Sequence, residues 1–333
     1  MKIKQQTICG ENFITLENSS GLEVVLCEFG AGIYQIKLDD VPMIAGLKDY
    51  DSWLHCDAYH GKTIGRIAGR LGKAELHYQG KTYSLSPNEG KNTLHGGVKG
   101  FSFQRFSSHL SQEEKGARVD FFLISPDGDQ GFPEELRLCV SYFLPENENL
   151  LRIEYEATSA KPTPASLTNH IYFNLGAHRN IEKDILYIDA DESLHYDAEL
   201  IPQGYEKTPS FLDFSQGKRI GEDLQNPALA VRGSYGIDHA FHKAKRNWNE
   251  PHVILENDEY RMVMTSSYDD VVIYTSNYGP FDKILSNGNQ QELHYAIAVE
   301  PQYEALDFTR MSVTEKGQHN FIQYEFWKKG ERL

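Results

Sequence analysis

Four short stretches carry the residues best suited to chemistry, and each breaks into a chain that otherwise alternates apolar and polar side chains. In "KNTLHGGVKGF", Lys91 to Phe101, a single histidine, His95, precedes two glycines. Glycine removes side-chain bulk and frees the backbone, so His95 either caps a turn or holds a ring nitrogen open towards a ligand. In "TIGRIAGRLGKAEL", Thr63 to Leu76, Arg66 and Arg70 stand among three glycines. The strand-to-helix context and the Lys-Ser/Thr pair of a phosphate-cradling loop are absent, and arginines engaged in salt bridges are the plain alternative. In "PASLTNHIYFNLGAH", Pro164 to His178, the residues Asn169, His170, Tyr172 and Asn174 fall in one strand-like run. They offer donors, an acceptor and a flat apolar ring, a surface that suits a sugar with hydroxyls at its edge and C–H groups on its face. A histidine satisfied within a core is the alternative. In "YAIAVEPQYEALDF", Tyr295 to Phe308, Glu300 ends an apolar strand. A carboxylate at such depth needs either a partner or a proton-transfer task.

Other chemistries find less support. The two histidines of "DHAFH", Asp238 to His242, are three apart, which puts them on opposite faces of a strand. Asp127 and Asp129 in "SPDGDQGFPEEL" lack the longer ligand series of a calcium loop, and a tight turn is the better reading. No metal site is expected. The four cysteines, Cys9, Cys27, Cys56 and Cys139, form no CxxC pair, and no G-x-S-x-G elbow points to acyl transfer. The net charge of −15, without a run of lysines or arginines, argues against nucleic acid, anionic membranes or polyphosphates as partners. The first residues, "MKIKQQTICGENF", contain no apolar run of a signal peptide, and no later segment approaches a membrane span. A cytoplasmic location is expected.

The elements that must position these residues are strands. Period-two segments recur from end to end: "NFITLEN", "LEVVLCEF", "GIYQIKL", "ARVDFFLI", "LRLCVSYFL", "LLRIEYEAT", "YRMVMTSS", "VVIYTSNY" and "NFIQYEFW". They are rich in Val, Ile, Tyr and Phe, as half-buried strands are. Gln79-Gly80 predicts a tight hairpin and "LENDEYRM" another. Helical periodicity is confined to a short segment near "KDYDSWLHC". With 40% hydrophobic and 24% charged residues over 333 positions and no linker, the chain reads as one all-β domain, 1–333, a sandwich or barrel of antiparallel sheets.

Taken together, the clusters resemble one family over nearly the whole length, the aldose 1-epimerases or galactose mutarotases. The resemblance runs from "GLEVVLCEFGAGIYQIKL" through "GKTIGRIAGRLGKAEL", "NTLHGGVKGF", "SPDGDQGFPEEL", "SLTNHIYFNLGAH" and "GIDHAF" to "AVEPQ". It implies a large antiparallel β-sandwich, the galactose mutarotase-like supersandwich, with an open sugar-binding cleft. It also implies roles: His170 and Glu300 as catalytic residues, and Arg70, His95 and Asp238 as binders of sugar hydroxyls. Gly96-Gly97 would then leave room for the sugar beside His95. The implied activity is interconversion of the α and β anomers of a free aldose of galactose or glucose type. Ring opening of a hemiacetal needs one base and one acid, and a carboxylate with an imidazole can supply both. No electron moves and no water is consumed, so no cofactor is expected. The expected partner is a monosaccharide, bound by a monomer or weak homodimer.

The chain departs from the family pattern in three places. Gly69 stands where the family usually has asparagine, Val272 replaces its usual glutamine, and "YEALDF" lacks the usual Pro-Asp pair after Glu300. An epimerase of modified or phosphorylated sugars and a non-catalytic carbohydrate-binding protein are the competing expectations. A glycoside-processing enzyme would want two carboxylates about the bond, and here the partner of Glu300 is a histidine.

Overall fold

The computed structural model describes residues 1–231 and 233–330. Among them the regular structure is nearly all strand, and each strand pair is antiparallel. The one α-helix, Tyr50–Leu54, lies in the predicted short segment; the Asp49 carboxylate caps it by accepting from the Ser52 N–H at 2.8 Å. Among the described residues no helix is long and apolar enough to cross a membrane. All nine alternating segments form strands. The Gln79-Gly80 turn joins Glu75–Tyr78 to Lys81–Ser84 with Tyr78 opposite Lys81, and its two residues take φ of 50° and 74° as a tight hairpin requires.

Three sheets carry the architecture. A five-stranded meander runs from Lys2–Ile8 to Val41–Pro42. A nine-stranded sheet has the C-terminal strand Gln318–Lys328 near its middle, hydrogen-bonded to Leu150–Thr158 on one side and Tyr260–Ser266 on the other. A six-stranded sheet is ordered Tyr172–Phe173, Ile297–Gln302, Asp270–Tyr274, Asp238–His242, Glu192–Tyr196 and Pro202–Lys207. Gln318–Lys328 alternates as its sequence demands, with Ile322, Tyr324 and Phe326 fully buried and their neighbours partly exposed.

The six-stranded sheet positions the site because its two faces differ. Phe173, Phe241, Val271, Ile273, Ile297 and Val299 share one face through the observed register, and they pack into the main core with Ile153, Met264, Ile322 and Tyr324. Each such side chain contributes roughly 1.5–3 kcal/mol by leaving water. The other face carries Tyr172, Asp238, Asp270, Val272, Tyr274, Glu300 and Gln302. Period two does the sorting: Val299 anchors the sheet while Glu300, one residue on, faces the opposite way. All six residues of Ile297–Gln302 are buried, which makes it a strand covered on both sides.

Candidate active site

A cavity of about 690 Å³ opens over the polar face of the six-stranded sheet. His95, His170, Arg70, Asp238 and Glu300 all line it, although they come from five separate parts of the chain. Glu300 lies mid-strand, opposite Val272, with its side chain nearly closed off from water. His170 sits in the short connection between Thr168–Asn169 and Tyr172–Phe173, fixed by its own backbone. Its N–H donates to Lys62 O at 3.0 Å, and its carbonyl accepts from the Gly61 N–H at 2.7 Å. The ring stands against Tyr59 and Tyr172, with centroids 5.8 and 4.8 Å away. Its Nε2 is 3.4 Å from Glu300 Oε1.

Around this pair lie the polar groups. His95 meets the His170 ring edge-on at 5.6 Å, and its Nδ1 accepts a hydrogen bond from the Gly69 N–H at 3.2 Å. In a neutral imidazole that places the proton on Nε2, so His95 can donate to a ligand oxygen. Arg70 is held in a fork by Glu89, with Nε–Oε2 at 2.8 Å and Nη2–Oε1 at 3.3 Å, and Asp238 lies 3.8 Å from its Nη2. The fork fixes the guanidinium plane, which a lysine could not do.

Burial sets the protonation states. It depresses His170 to about 3, and it drives His95 well below the ordinary imidazole value with help from His170 and Arg70. Burial also pushes Glu300 well above the carboxylate range, reinforced by the charges of Asp238 and Glu304 and opposed by Arg70. Burial disfavours the charge on Arg70 as well, but Asp238 and Glu89 together outweigh it and keep the guanidinium protonated. Both shifts favour a neutral imidazole at His170 and a protonated carboxyl group at Glu300.

Several details differ from what the sequence suggested. Gly96 and Gly97 do not make room for a ligand. A Cβ on Gly96 would lie 1.9 Å from the Gly65 carbonyl oxygen, and one on Gly97 3.0 Å from that of Ser86, so the pair lets backbones pack at φ of 86° and 94°. Asn169 and Asn174 do not reach the cleft either. Asn169 donates to the Tyr142 hydroxyl, and Asn174 ties down a loop through His178 and the Tyr295 carbonyl. Arg66 makes no ion pair among the described residues; its fully buried guanidinium donates to the carbonyls of Ser125, Pro133 and Glu134 and to the Ser125 hydroxyl. His242 turns to Asp270, with Nδ1 donating to Oδ1 at 2.6 Å. Sequence reasoning passed over Glu89, Gln302 and Glu304, all of which line the cavity. For Gln302 the signal was available, since it stands two residues after Glu300 on a strand.

His95, His170 and Glu300 bring ligand atoms within 4.8 Å of one another, a spacing that can hold a metal ion. A cation there would have to displace the proton on His95 Nε2 and the one that burial favours on Glu300.

The sequence model of the family described as Aldose 1-epimerase matches residues 12–321. Over 239 residues the chain is 36% identical to an aldose 1-epimerase of Escherichia coli, an alignment spanning 68% of this chain and 67% of that one. Over 279 residues it is 34% identical to an aldose 1-epimerase of Haemophilus influenzae, spanning 80% and 78%. Among solved structures, a galactose 1-epimerase from Lactobacillus acidophilus superposes with a TM-score of 0.87 at 28% identity, covering 98% of this chain and 99% of that one. On this match across its length, the chain belongs to the aldose 1-epimerase family, isomerases that interconvert the anomers of aldoses.

Proposed function

We propose that His170 and Glu300 are the acid/base pair with which this chain interconverts the α and β anomers of a free aldose, and that Arg70, His95 and Asp238 hold the sugar. The reading rests above all on the 3.4 Å approach of His170 Nε2 to Glu300 Oε1 where both line the cavity. From the carboxylate–imidazolium state, Glu300 takes the proton of the anomeric hydroxyl as His170 gives its proton to the ring oxygen. The C1–ring oxygen electron pair leaves with that oxygen, and the anomeric oxygen forms the aldehyde. This leaves glutamic acid and neutral imidazole, the state that burial favours. After rotation about C1–C2 the ring hydroxyl attacks the other face, returning its proton to His170 while Glu300 reprotonates the carbonyl oxygen. Atoms and charges balance, and each member serves as acid in one half and base in the other.

The chain is taken as one domain, 1–333, since a single buried cluster draws residues from Ile14 to Phe326. Galactose and glucose are the first substrates to try. The phosphosugar alternative is disfavoured by the charge of the cleft, where the one arginine, Arg70, is already paired with Glu89 and Asp238. The test is polarimetric: freshly dissolved α-D-galactose or α-D-glucose should approach the same final rotation faster with protein present. No acceleration with either sugar or with any other aldose would refute the proposal.

A further inference from the structure

The cavity contains a buried acid that the reaction does not use. Glu304 lines it with its side chain buried, and no lysine or arginine among the described residues forms an ion pair with it. Its surroundings are specific. Gln302 Nε2 donates to Glu304 Oε1 at 2.7 Å, which fixes the carboxyl group. Gln302 is itself held on the strand Ile297–Gln302, opposite Asp270, and its Oε1 is buried without a hydrogen-bond partner. The second oxygen of Glu304 points towards Gly69. A Cβ built on Gly69 would stand 3.9 Å from Glu304 Oε2 and 3.3 Å from Gln302 Nε2.

That position is where the family pattern has asparagine. Glycine leaves the space vacant from one side, and the Gln302–Glu304 pair enters it from the other. We propose that Glu304 is a specificity-determining residue of this cleft, whose carboxyl group makes the hydroxyl contact that an asparagine side chain at position 69 would make. The proposal rests on the epimerase reading above.

The chemistry of the exchange is close. An amide offers a donor and an acceptor, and a protonated carboxyl group offers the same two functions. Burial, with the charge of Asp270, raises Glu304 to about 8, so the protonated form is available at neutral pH. The group recognised is a neutral hydroxyl on the side of the sugar facing residue 69.

The experiment compares wild type, Glu304→Ala, Glu304→Gln, Gly69→Asn and the double variant Gly69→Asn/Glu304→Ala by polarimetry. The substrates are galactose, glucose and their 2-, 3-, 4- and 6-deoxy analogues. Glu304→Ala should lower kcat/KM roughly 2- to 12-fold on the parent sugar, mostly through KM, the span of one lost hydrogen bond. On the one deoxy analogue that lacks the recognised hydroxyl it should make no difference. Glu304→Gln keeps the shape and a donor, so it should show a smaller loss with the same preference. Gly69→Asn should lower kcat/KM in wild type, where Glu304 fills the space, and raise it in the Glu304→Ala background. An equal loss on every sugar, no loss at all, or the same effect of Gly69→Asn in both backgrounds would overturn the proposal while leaving the epimerase reading intact. A wild-type protein inactive on the whole panel would overturn both.

Discussion

Replacing Glu300 by glutamine separates a catalytic carboxyl group from a structural one, because the two readings predict opposite pairs of changes. The amide matches the carboxyl group in size, so packing against Val272 and the approach to His170 are preserved. What disappears is the proton exchanged with the anomeric hydroxyl. Loss of one positioned proton-transfer group costs about 10²–10⁴ in rate, which at about 1.36 kcal/mol per decade raises the barrier by about 2.7–5.4 kcal/mol. Stability should move the other way. Burial first, then Asp238 and Glu304, raises the folded pKa of Glu300 above its unfolded value. Its contribution to stability is therefore complete below the ordinary carboxylate range and is lost as pH rises through the folded pKa. Glutamine has no such loss. The two proteins should melt alike in mild acid, and the variant should melt higher as pH increases. The assay is kcat by polarimetry and Tm from the same preparations across pH, with spontaneous mutarotation subtracted. Turnover at the wild-type rate would refute the assignment, and so would lost turnover in step with a lowered Tm in mild acid.

His95→Ala should raise KM about 2- to 12-fold with a smaller fall in kcat, as expected of a residue proposed to hold the sugar in both ground and transition states; an unchanged KM for each active sugar would make it a turn residue only. EDTA should leave the rate unchanged, and a rate that collapses with chelator and returns with zinc or calcium would instead put a cation among His95, His170 and Glu300. Since burial holds His170 near 3, the acid limb of kcat/KM should lie near pH 3, where a second proton enters the pair, and not near 6.5; an acid limb centred near 6.5 would mean an imidazole with ordinary hydration. Glu304→Gln should flatten the loss of Tm between pH 4.5 and about 8, because the raised carboxyl group contributes stability that wild type gives up over that interval.

Much of the molecule is readable one strand at a time. Alternation in "NFIQYEFW" determines which side chains of Gln318–Lys328 face the core, because the period of a strand is local and burial selects one parity. The Gln79-Gly80 hairpin is equally local, its two left-handed residues dictating the turn. Motif order likewise marked His170, Glu300, Arg70, His95 and Asp238, and the fold brings all five to one cavity. Where the sequence misled, the deciding contacts lay far along the chain. Gly96 looked like space for a ligand, and only packing showed that the space belongs to the Gly65 carbonyl. Asn169 and Asn174 shared a run with His170, yet Tyr142 and Tyr295, brought in by other strands, take up their amides. Gly69 read as a missing contact, and the side chains that approach the gap come from Gln302 and Glu304. A residue's alternation and turn preference are written in its neighbours, but what fills the space beside it is set by whichever distant strand the sheet register delivers there.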